Sequence, residues 1–502
     1  MPRLEPLVLL PLAKLALHLA TFRGYGFFRD EYYYIACSKR LAFGYVDHPP
    51  LAMALLAVQR ALFGESLFAV RLMPALVGAL TVLVVGLLTR ELGGGRFAQT
   101  LAMTTVGIEF LGVFHYFSMN CIDVLVWTTV AYLLTLLVKE PRPRLWLLLG
   151  AVLGLGLQNK LSVLWLGAGL AVGLLATGER RWLRTPWPWL AGGLAALLFL
   201  PHVLWQVRMD WPTLEFIRNA TGEKMVEVTP LDFLGGQLSM FSPTVVPLWL
   251  GGLAYLLIAR GTRQFRILGW VYLSAFVILL VSGSSRAGYL VPAYSWLFAA
   301  GAVAWEAWGA RRGMGWLKVA TLVVILGFGI LTLPFSLPVL PVESYIDYAQ
   351  RLGVGPTTAE RKELAELPQW YADMHGWDEM VDTVAEVYAS LSPEEQESAT
   401  IFTYNYGNSG ALDHLGRAHG LPPSISGHNN YWLWGPGAAS GEVVIVVGES
   451  DEGLRRMFDS VELAATTDCR YCMPYEDDKP IWVARGIRQP IAESWPVNKH
   501  YD

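Results

Sequence analysis

Eleven apolar segments fill most of the first 336 residues and leave the chain few ways to fold. They run near Leu7–Phe22, Leu67–Leu88, Phe97–Val113, Met119–Val138, Leu145–Leu157, Leu161–Thr177, Trp187–Val207, Val245–Ile258, Ile267–Val281, Tyr289–Trp308 and Leu317–Pro334. In hydrocarbon no water satisfies a bare N–H or C=O, so such segments cross a bilayer as helices, each needing ~20 residues. Composition points the same way: the chain is 54% hydrophobic and only 16% charged, where a soluble domain carries about a quarter charged residues. The reading is an α-helical polytopic membrane protein with about eleven transmembrane helices, several of them short. The first segment has no small-residue cleavage site after it and holds Lys14 and His18, which reads as a retained helix and not a signal peptide. Within Leu145–Thr177 the only break is Gln158-Asn159-Lys160.

Lysine and arginine give an orientation. Arg90 and Arg96, then Lys139, Arg142 and Arg144, then Arg180, Arg181 and Arg184, then Arg260, Arg263 and Arg266, then Arg311 and Arg312 occupy alternate loops. By the positive-inside rule the N-terminus is then cytoplasmic. The opening loop (23–66), the turns Phe114–Ser118 and Gln158–Lys160, the stretch Arg208–Phe241, the turn Ser282–Gly288 and the C-terminal tail face outward. Charge divides the chain as well: of 42 acidic and 38 basic residues, 26 acidic and 11 basic lie from Leu337 onward. A basic membrane part, residues 1–336, thus carries an acidic soluble tail, residues 337–502, and neither points to a nucleic-acid partner. Arg23, Arg29, Lys39, Arg40 and Arg60 sit on the outer side against the rule. Outward cations that topology does not explain suggest an anionic ligand there.

The opening loop is also the chemically densest stretch. Tyr25–Leu51 holds Asp30-Glu31, three tyrosines (Tyr32, Tyr33, Tyr34), Lys39-Arg40, and Asp47-His48 ahead of Pro49-Pro50. From Glu31 to Phe43 the apolar residues predict a short amphipathic helix lying along the membrane surface, with a carboxylate pair at one end and an acid/base pair at the other.

The tail has a different texture. Helical patterns at Thr358–His375 and Met380–Leu391 precede strands at Thr400–Asn405, Val443–Gly448, Val461–Ala465 and Ile481–Ala484. Helices at Ala411–His419 and Glu452–Asp459 alternate with them, which predicts a small extracytoplasmic α/β domain. Ser426–Pro436, SGHNNYWLWGP, has the composition of a sugar-binding segment and equally that of a packed aromatic loop. Cys469 and Cys472 form a CxxC without the second pair that zinc would need, so outside the cytoplasm a disulfide is the favoured reading.

Phe28-Arg29-Asp30-Glu31-Tyr32-Tyr33, followed by Gly44-Tyr45-Val46-Asp47-His48-Pro49-Pro50-Leu51, resembles the bacterial branch of the dolichyl-phosphate-mannose–protein mannosyltransferase family (glycosyltransferase family 39, GT-C fold), related to the lipid A aminoarabinose transferase. Ser118-Met119-Asn120 with Asp123 and Trp127 resembles a second block of that family. Gln158-Asn159-Lys160-Leu161 and Arg286-Ala287-Gly288-Tyr289-Leu290-Val291-Pro292 resemble later ones, over a region from Leu7 to Trp308. The resemblance implies a membrane transferase that moves a sugar from a polyprenyl-phosphate donor to an extracytoplasmic acceptor hydroxyl with inversion. Asp30 takes the family's catalytic position, as the base for the acceptor hydroxyl, and Glu31 orients it or holds the sugar. His48, Lys160 and Arg286 are the candidates for the donor phosphate, and Asp47, Tyr33, Asn120, Asp123 and Tyr289 for the donor and acceptor pocket. No cofactor is implied; Asp47 beside His48 is a poor metal site, and metal dependence stays open. The partners implied are the lipid-linked donor, the bilayer of the plasma or inner membrane, and an acceptor protein, lipid or polysaccharide.

Two other classes fit an outward-facing polytopic chain. A transporter or flippase for lipid-linked sugar would use ionisable groups within the membrane, for which Lys14, Glu109 and Asp123 are candidates, although no internal repeat is visible. A receptor would bind glycan or peptide through the tail and turn nothing over.

Overall fold

The computed structural model describes residues 6–140, 142–283 and 285–502. Ser284 of the expected Ser282–Gly288 turn lies outside the described residues. Helices form at each apolar segment, from Pro6–Thr21 to Trp316–Ser336. Among the described residues six are long and apolar enough to cross a membrane: Leu67–Glu91, Met119–Lys139, Trp187–Arg208, Arg260–Val281, Ala287–Arg311 and Trp316–Ser336. Two bent pairs, Val163–Ala176 with Gly178–Arg184 (104°) and Pro230–Ser239 with Pro243–Leu257 (91°), raise that to eight. Of the remaining expected spans, Pro6–Thr21, Arg96–Glu109 and Leu145–Leu157 hold 16, 14 and 13 residues, short of a full crossing. The protein is a multi-pass membrane protein with six to eight helices of spanning length, fewer than the eleven expected.

Small residues hold the bundle together, as they must where lipid is as apolar as leucine. A Cβ built on Gly252 or Gly301 would strike the carbonyl oxygens of Leu297 and Leu248, so helices Val246–Leu257 and Val291–Arg311 meet backbone to backbone. Gly150 against Ala191, and Gly169 against Val271, do the same for two other pairs. Ser66 and Ser118 cap the helices that follow them by accepting the N–H of Ala69 (3.3 Å) and of Asn120 (3.3 Å).

The helix of the opening loop spans Arg29–Lys39, and every residue from Glu31 to Ser38 is buried. The expected surface helix of Glu31–Phe43 is therefore corrected. Tyrosines at three consecutive positions wrap apolar surface around the whole helix, and a helix apolar all round is covered on both sides. Leu51–Phe63 packs against one side and the tail helix Tyr406–Leu415 against the other. Exposure begins past its end, at Arg40–Phe43, where Leu41 and Phe43 are 60% and 66% exposed.

The tail folds around a five-stranded sheet of order β2-β1-β3-β5-β4, where β1 is Ala399–Thr403, β2 Ser424–Ser426, β3 Val443–Val447, β4 Phe458–Thr466 and β5 Pro480–Ile487. β1 runs parallel to both neighbours, with Ile401 level with Ser424 and Ile445; β5 runs antiparallel to β3 and β4. All five residues of β3 are buried, as a central strand requires. The expected helix at Thr358–His375 does not form. Pro368 lacks the N–H that a continuous helix needs there, and only Gln369–Ala372 is helical. Glu360 instead forms an isolated antiparallel bridge with Met225, in the stretch Arg208–Phe241.

Candidate active site

Successive residues of a helix point about 100° apart, so Asp30 and Glu31 leave the first turn of Arg29–Lys39 in different directions. Glu31 is fully buried. Its Oε2 accepts the Phe28 N–H at 2.9 Å and Arg71 Nη2 at 2.9 Å, and its Oε1 accepts the Phe117 N–H at 2.8 Å and Arg71 Nε at 3.3 Å. Arg71 in turn donates to the carbonyls of Phe22 (3.0 Å) and Gly26 (2.7 Å). Glu31 is thus the knot that ties the opening loop to two membrane helices, with its acceptors in use and no face open to a sugar. Asp30 keeps 27% of its side chain exposed. Its Oδ1 accepts the Tyr406 hydroxyl at 3.0 Å, with Arg29 Nε at 3.5 Å.

Arg29 joins this carboxylate to the tail. Its guanidinium lies 3.3 Å from Glu360 and 3.6 Å from Asp373, and donates to the Tyr475 hydroxyl at 2.9 Å. Burial opposes its charge, but Asp373, Tyr406, Tyr475 and Glu360 outweigh that and raise its pKa further. Burial pushes the Asp373 carboxyl up to about 7, against the pull of Arg29 and with help from Glu360 and Asp30. Glu360 is held below its ordinary value: burial works against its ionisation, and Arg29 and Lys224 more than offset it.

A cavity of ≈ 500 Å³ opens beside this network, at the ends of membrane helices nearest the tail. Lys160, Arg286, Asn120, Asp123 and Tyr289 all line it, so five of the residues expected from separate sequence blocks converge. Lys160 Nζ donates to Asn120 Oδ1 at 2.7 Å and stands 3.8 Å from Asp123, whose two oxygens both lie 2.8 Å from the Ser162 hydroxyl. Arg286 donates to the Ala359 carbonyl at 3.1 Å, while its buried Nε has no partner. Lys160 also lies 5.6 Å from the Tyr289 ring centroid. Tyr116 links the two halves: it lines the cavity and packs on Phe28 at 4.5 Å. Burial raises its pKa, and Asp30 is the next largest cause.

His48 does not reach the cavity. It is buried against Tyr45 (ring centroids 4.8 Å), and its Nδ1 faces the Pro49 carbonyl at 3.0 Å. Asp47 accepts the Tyr33 hydroxyl at 2.8 Å and lies 3.9 Å from His48 Nε2. Tyr33 stacks on Tyr406 at 4.6 Å, so this pair flanks Asp30 through the tail. Sequence reasoning passed over Arg71, Tyr116, Glu360, Asp373 and Tyr406. Among the described residues one group has metal-like spacing, His428 with His500 and Asp502. Its ring nitrogens are already engaged: His428 Nε2 lies 2.9 Å from the Asp502 carbonyl and Nδ1 accepts the Tyr406 N–H at 3.4 Å, while His500 Nε2 lies 2.9 Å from the Tyr404 carbonyl. Cys469 and Cys472 are buried and unpaired, with the Cys472 N–H donating to the Cys469 sulfur at 3.2 Å.

Residues 47–205 match the family described as dolichyl-phosphate-mannose-protein mannosyltransferase. No curated protein matches the chain. Among solved structures, ArnT from Cupriavidus metallidurans bound to undecaprenyl phosphate is 16% identical, with 95% of this chain and 97% of that chain covered and a TM-score of 0.61. The same ArnT in the apo state gives 17% identity, the same coverage and a TM-score of 0.58. The family resemblance is therefore met over residues 47–205, with Phe28–Tyr33 and Arg286–Pro292 outside that match, and over nearly its whole length the chain has a fold similar to that of ArnT.

Proposed function

We propose that this chain is an integral membrane glycosyltransferase that moves a sugar from a polyprenyl-phosphate donor to an extracytoplasmic acceptor hydroxyl with inversion. The observation that carries the reading is the convergence of Lys160 and Arg286, 126 positions apart in the sequence, on one cavity beside the loop that bears Asp30. The donor phosphate is assigned to that pair, where a low-dielectric wall strengthens each contact with the departing anion. A phosphate leaves without being protonated, so one base suffices. Asp30, part-buried on the loop beside the cavity and steadied by Tyr406, accepts the acceptor's proton as the acceptor oxygen attacks the anomeric carbon from the face opposite the phosphate. Single displacement inverts that carbon. Glu31 acts through position, holding the helix that presents Asp30.

The wider arrangement belongs to the same proposal. Residues 1–336 form the transferase unit, crossing about eleven times from a cytoplasmic N-terminus, with the shorter apolar helices completing the count. Residues 337–502 form an outer domain that covers the opening loop. Purified protein in detergent, given radiolabelled polyprenyl-phosphate sugars one at a time, is expected to release polyprenyl phosphate with at least one of them. Absence of turnover in detergent together with donor movement across sealed vesicles would replace the transferase by a flippase.

A further inference from the structure

The tail holds a second cleft, ≈ 740 Å³, at the amino ends of the parallel strands. It is bounded by Ala399 and Thr400 of β1, Ser424 of β2, the turn before β3, and the loop that follows Trp434. Tyr406, which holds Asp30, follows the carboxyl end of β1, so the length of that strand, roughly 16 Å, separates the two places. Arg40 gives a second measure. It lines the cleft and lies ten residues beyond Asp30, just past the end of the Arg29–Lys39 helix and about 15 Å away. The cleft is therefore distinct from the Asp30 site.

Its floor is aromatic. Trp434 is half-buried and meets Tyr431 edge to face at 4.8 Å, and Tyr431 is fixed by donating to Asp413 at 2.9 Å. The Arg40 guanidinium sits 4.3 Å from the Trp434 ring centroid and has no ion pair among the described residues. Glu397 and Glu442 face the same cleft, again without an ion pair among those residues. The segment Ser426–Pro436 divides here. His428, Asn429 and Asn430 are buried, and Asn430 accepts the Val46 N–H at 2.7 Å to dock the tail on the opening loop. Trp434 is left to the cleft.

This mix selects a ligand class. Trp434 offers stacking once the Arg40 guanidinium that lies over its ring swings aside, the unpaired carboxylates accept hydrogen bonds, and the displaced guanidinium donates them. An apolar peptide would strip water from two carboxylates without replacing it, and a polyanion would meet both of them. A neutral ring with apolar faces and a hydroxyl rim satisfies all three, and the volume falls in the usual range for small-ligand sites. We propose that this cleft binds a neutral oligosaccharide, stacked on Trp434 and hydrogen-bonded by Arg40, Glu397 and Glu442. The site needs no donor and stands or falls apart from turnover.

The full chain in detergent, without any lipid-linked sugar, would be titrated calorimetrically with maltohexaose, cellohexaose, mannohexaose and an oligogalacturonate of equal length. At least one neutral hexaose is expected to bind. Trp434→Ala should weaken it roughly tenfold or more, Trp434→Phe should retain most of the affinity, and Glu442→Gln should lower it. Trp434→Phe, with thermal unfolding matched to wild type, guards against loss through misfolding. Failure of every neutral hexaose, equal binding by Trp434→Ala, or binding confined to the galacturonate and erased by salt would each overturn the proposal.

Discussion

Asp30 and Glu31 share a helical turn but not an environment, and substitution should separate them. Asp30→Asn leaves the Tyr406 contact an acceptor and removes only the base, so turnover should fall roughly 10²–10⁴-fold at unchanged thermal stability. Glu31→Gln leaves the buried Arg71 guanidinium without its counter-charge, and the cost, about 3–5 kcal/mol, should show first in the unfolding temperature. Near-wild-type turnover by folded Asp30→Asn would remove the catalytic assignment. Lys160→Ala and Arg286→Ala should each raise the donor concentration needed for half-maximal rate, and Arg286→Lys should restore only part, since a point charge replaces a planar fork. If initial rates at subsaturating donor are the same in both alanine variants as in wild type, the phosphate lies elsewhere. Asp373 carries a pH signature. Its folded pKa, about 7, lies above the ordinary 3.8, so the folded protein holds that proton more tightly. Its contribution to stability is therefore present in acid and is lost as the pH rises from about 4 through about 7. Melting curves at pH 5 and pH 8 should differ less in Asp373→Asn than in wild type, and an unchanged difference would free Asp373 of the role. Lys160, Asn120, Asp123, Arg286 and Tyr289 were singled out by the family resemblance of the short blocks that hold them, and the structure brings all five to one cavity. Arg71 and Tyr406 were not: their meaning lies in partners 40 and 376 positions away.

The helices show what holds the active loop in place. Gly407 and Gly410 stand one turn apart on Tyr406–Leu415, and a Cβ on either would meet Arg29 Cγ at 2.6 Å or the Tyr32 backbone at 2.8 Å. These two positions let the tail helix lie directly on the Arg29–Lys39 helix and so bring the Tyr406 hydroxyl to Asp30. Gly410→Ala should therefore cost about 1–3 kcal/mol of stability by overpacking, and lower turnover in the fraction that stays folded. Gly251→Ala, where a Cβ meets nothing within 4 Å, is the control and should be neutral in both respects. Indistinguishable melting and turnover for the two variants would mean that the helices are not in register at Gly410. The sequence pattern supported a helix after Asp30 and correctly marked its aromatic density, yet placed it on the membrane surface. Nothing local distinguishes tyrosines facing headgroups from tyrosines facing a protein partner; the partner's glycines, far along the chain, make that difference. Strands β1, β3, β4 and β5 were legible from their apolar runs, whereas the three residues of β2 are too few to show a period.

At the scale of the whole molecule, the charge division and the docking of the tail constrain each other. Arg29 pairs with Glu360 and Asp373, and Asn430 holds Val46, so the tail and the opening loop sit on the same side of the membrane. Basic residues meanwhile accumulate in the alternate loops, at Arg90 and Arg96, at Arg180 to Arg184 and at Arg311 with Arg312. In the proposed orientation, which follows the positive-inside rule, those loops are cytoplasmic and the opening loop, the cavity and the tail lie together outside. Lengths alone do not settle the count, since six to eight helices reach spanning length and the rest are short. Parity narrows it, because a cytoplasmic N-terminus with an outer tail, as proposed, requires an odd number of crossings. A single reactive cysteine appended after Asp502, in a chain whose four native cysteines are replaced, should react with a membrane-impermeant maleimide in cells whose outer barrier alone is opened. A second cysteine at Arg312 should stay protected until the inner membrane is broken. Protection of the Asp502 site with labelling at Arg312 would reverse the orientation and place Asp30 where no extracytoplasmic acceptor could reach it, while labelling of both positions would mean that Trp316–Ser336 does not cross.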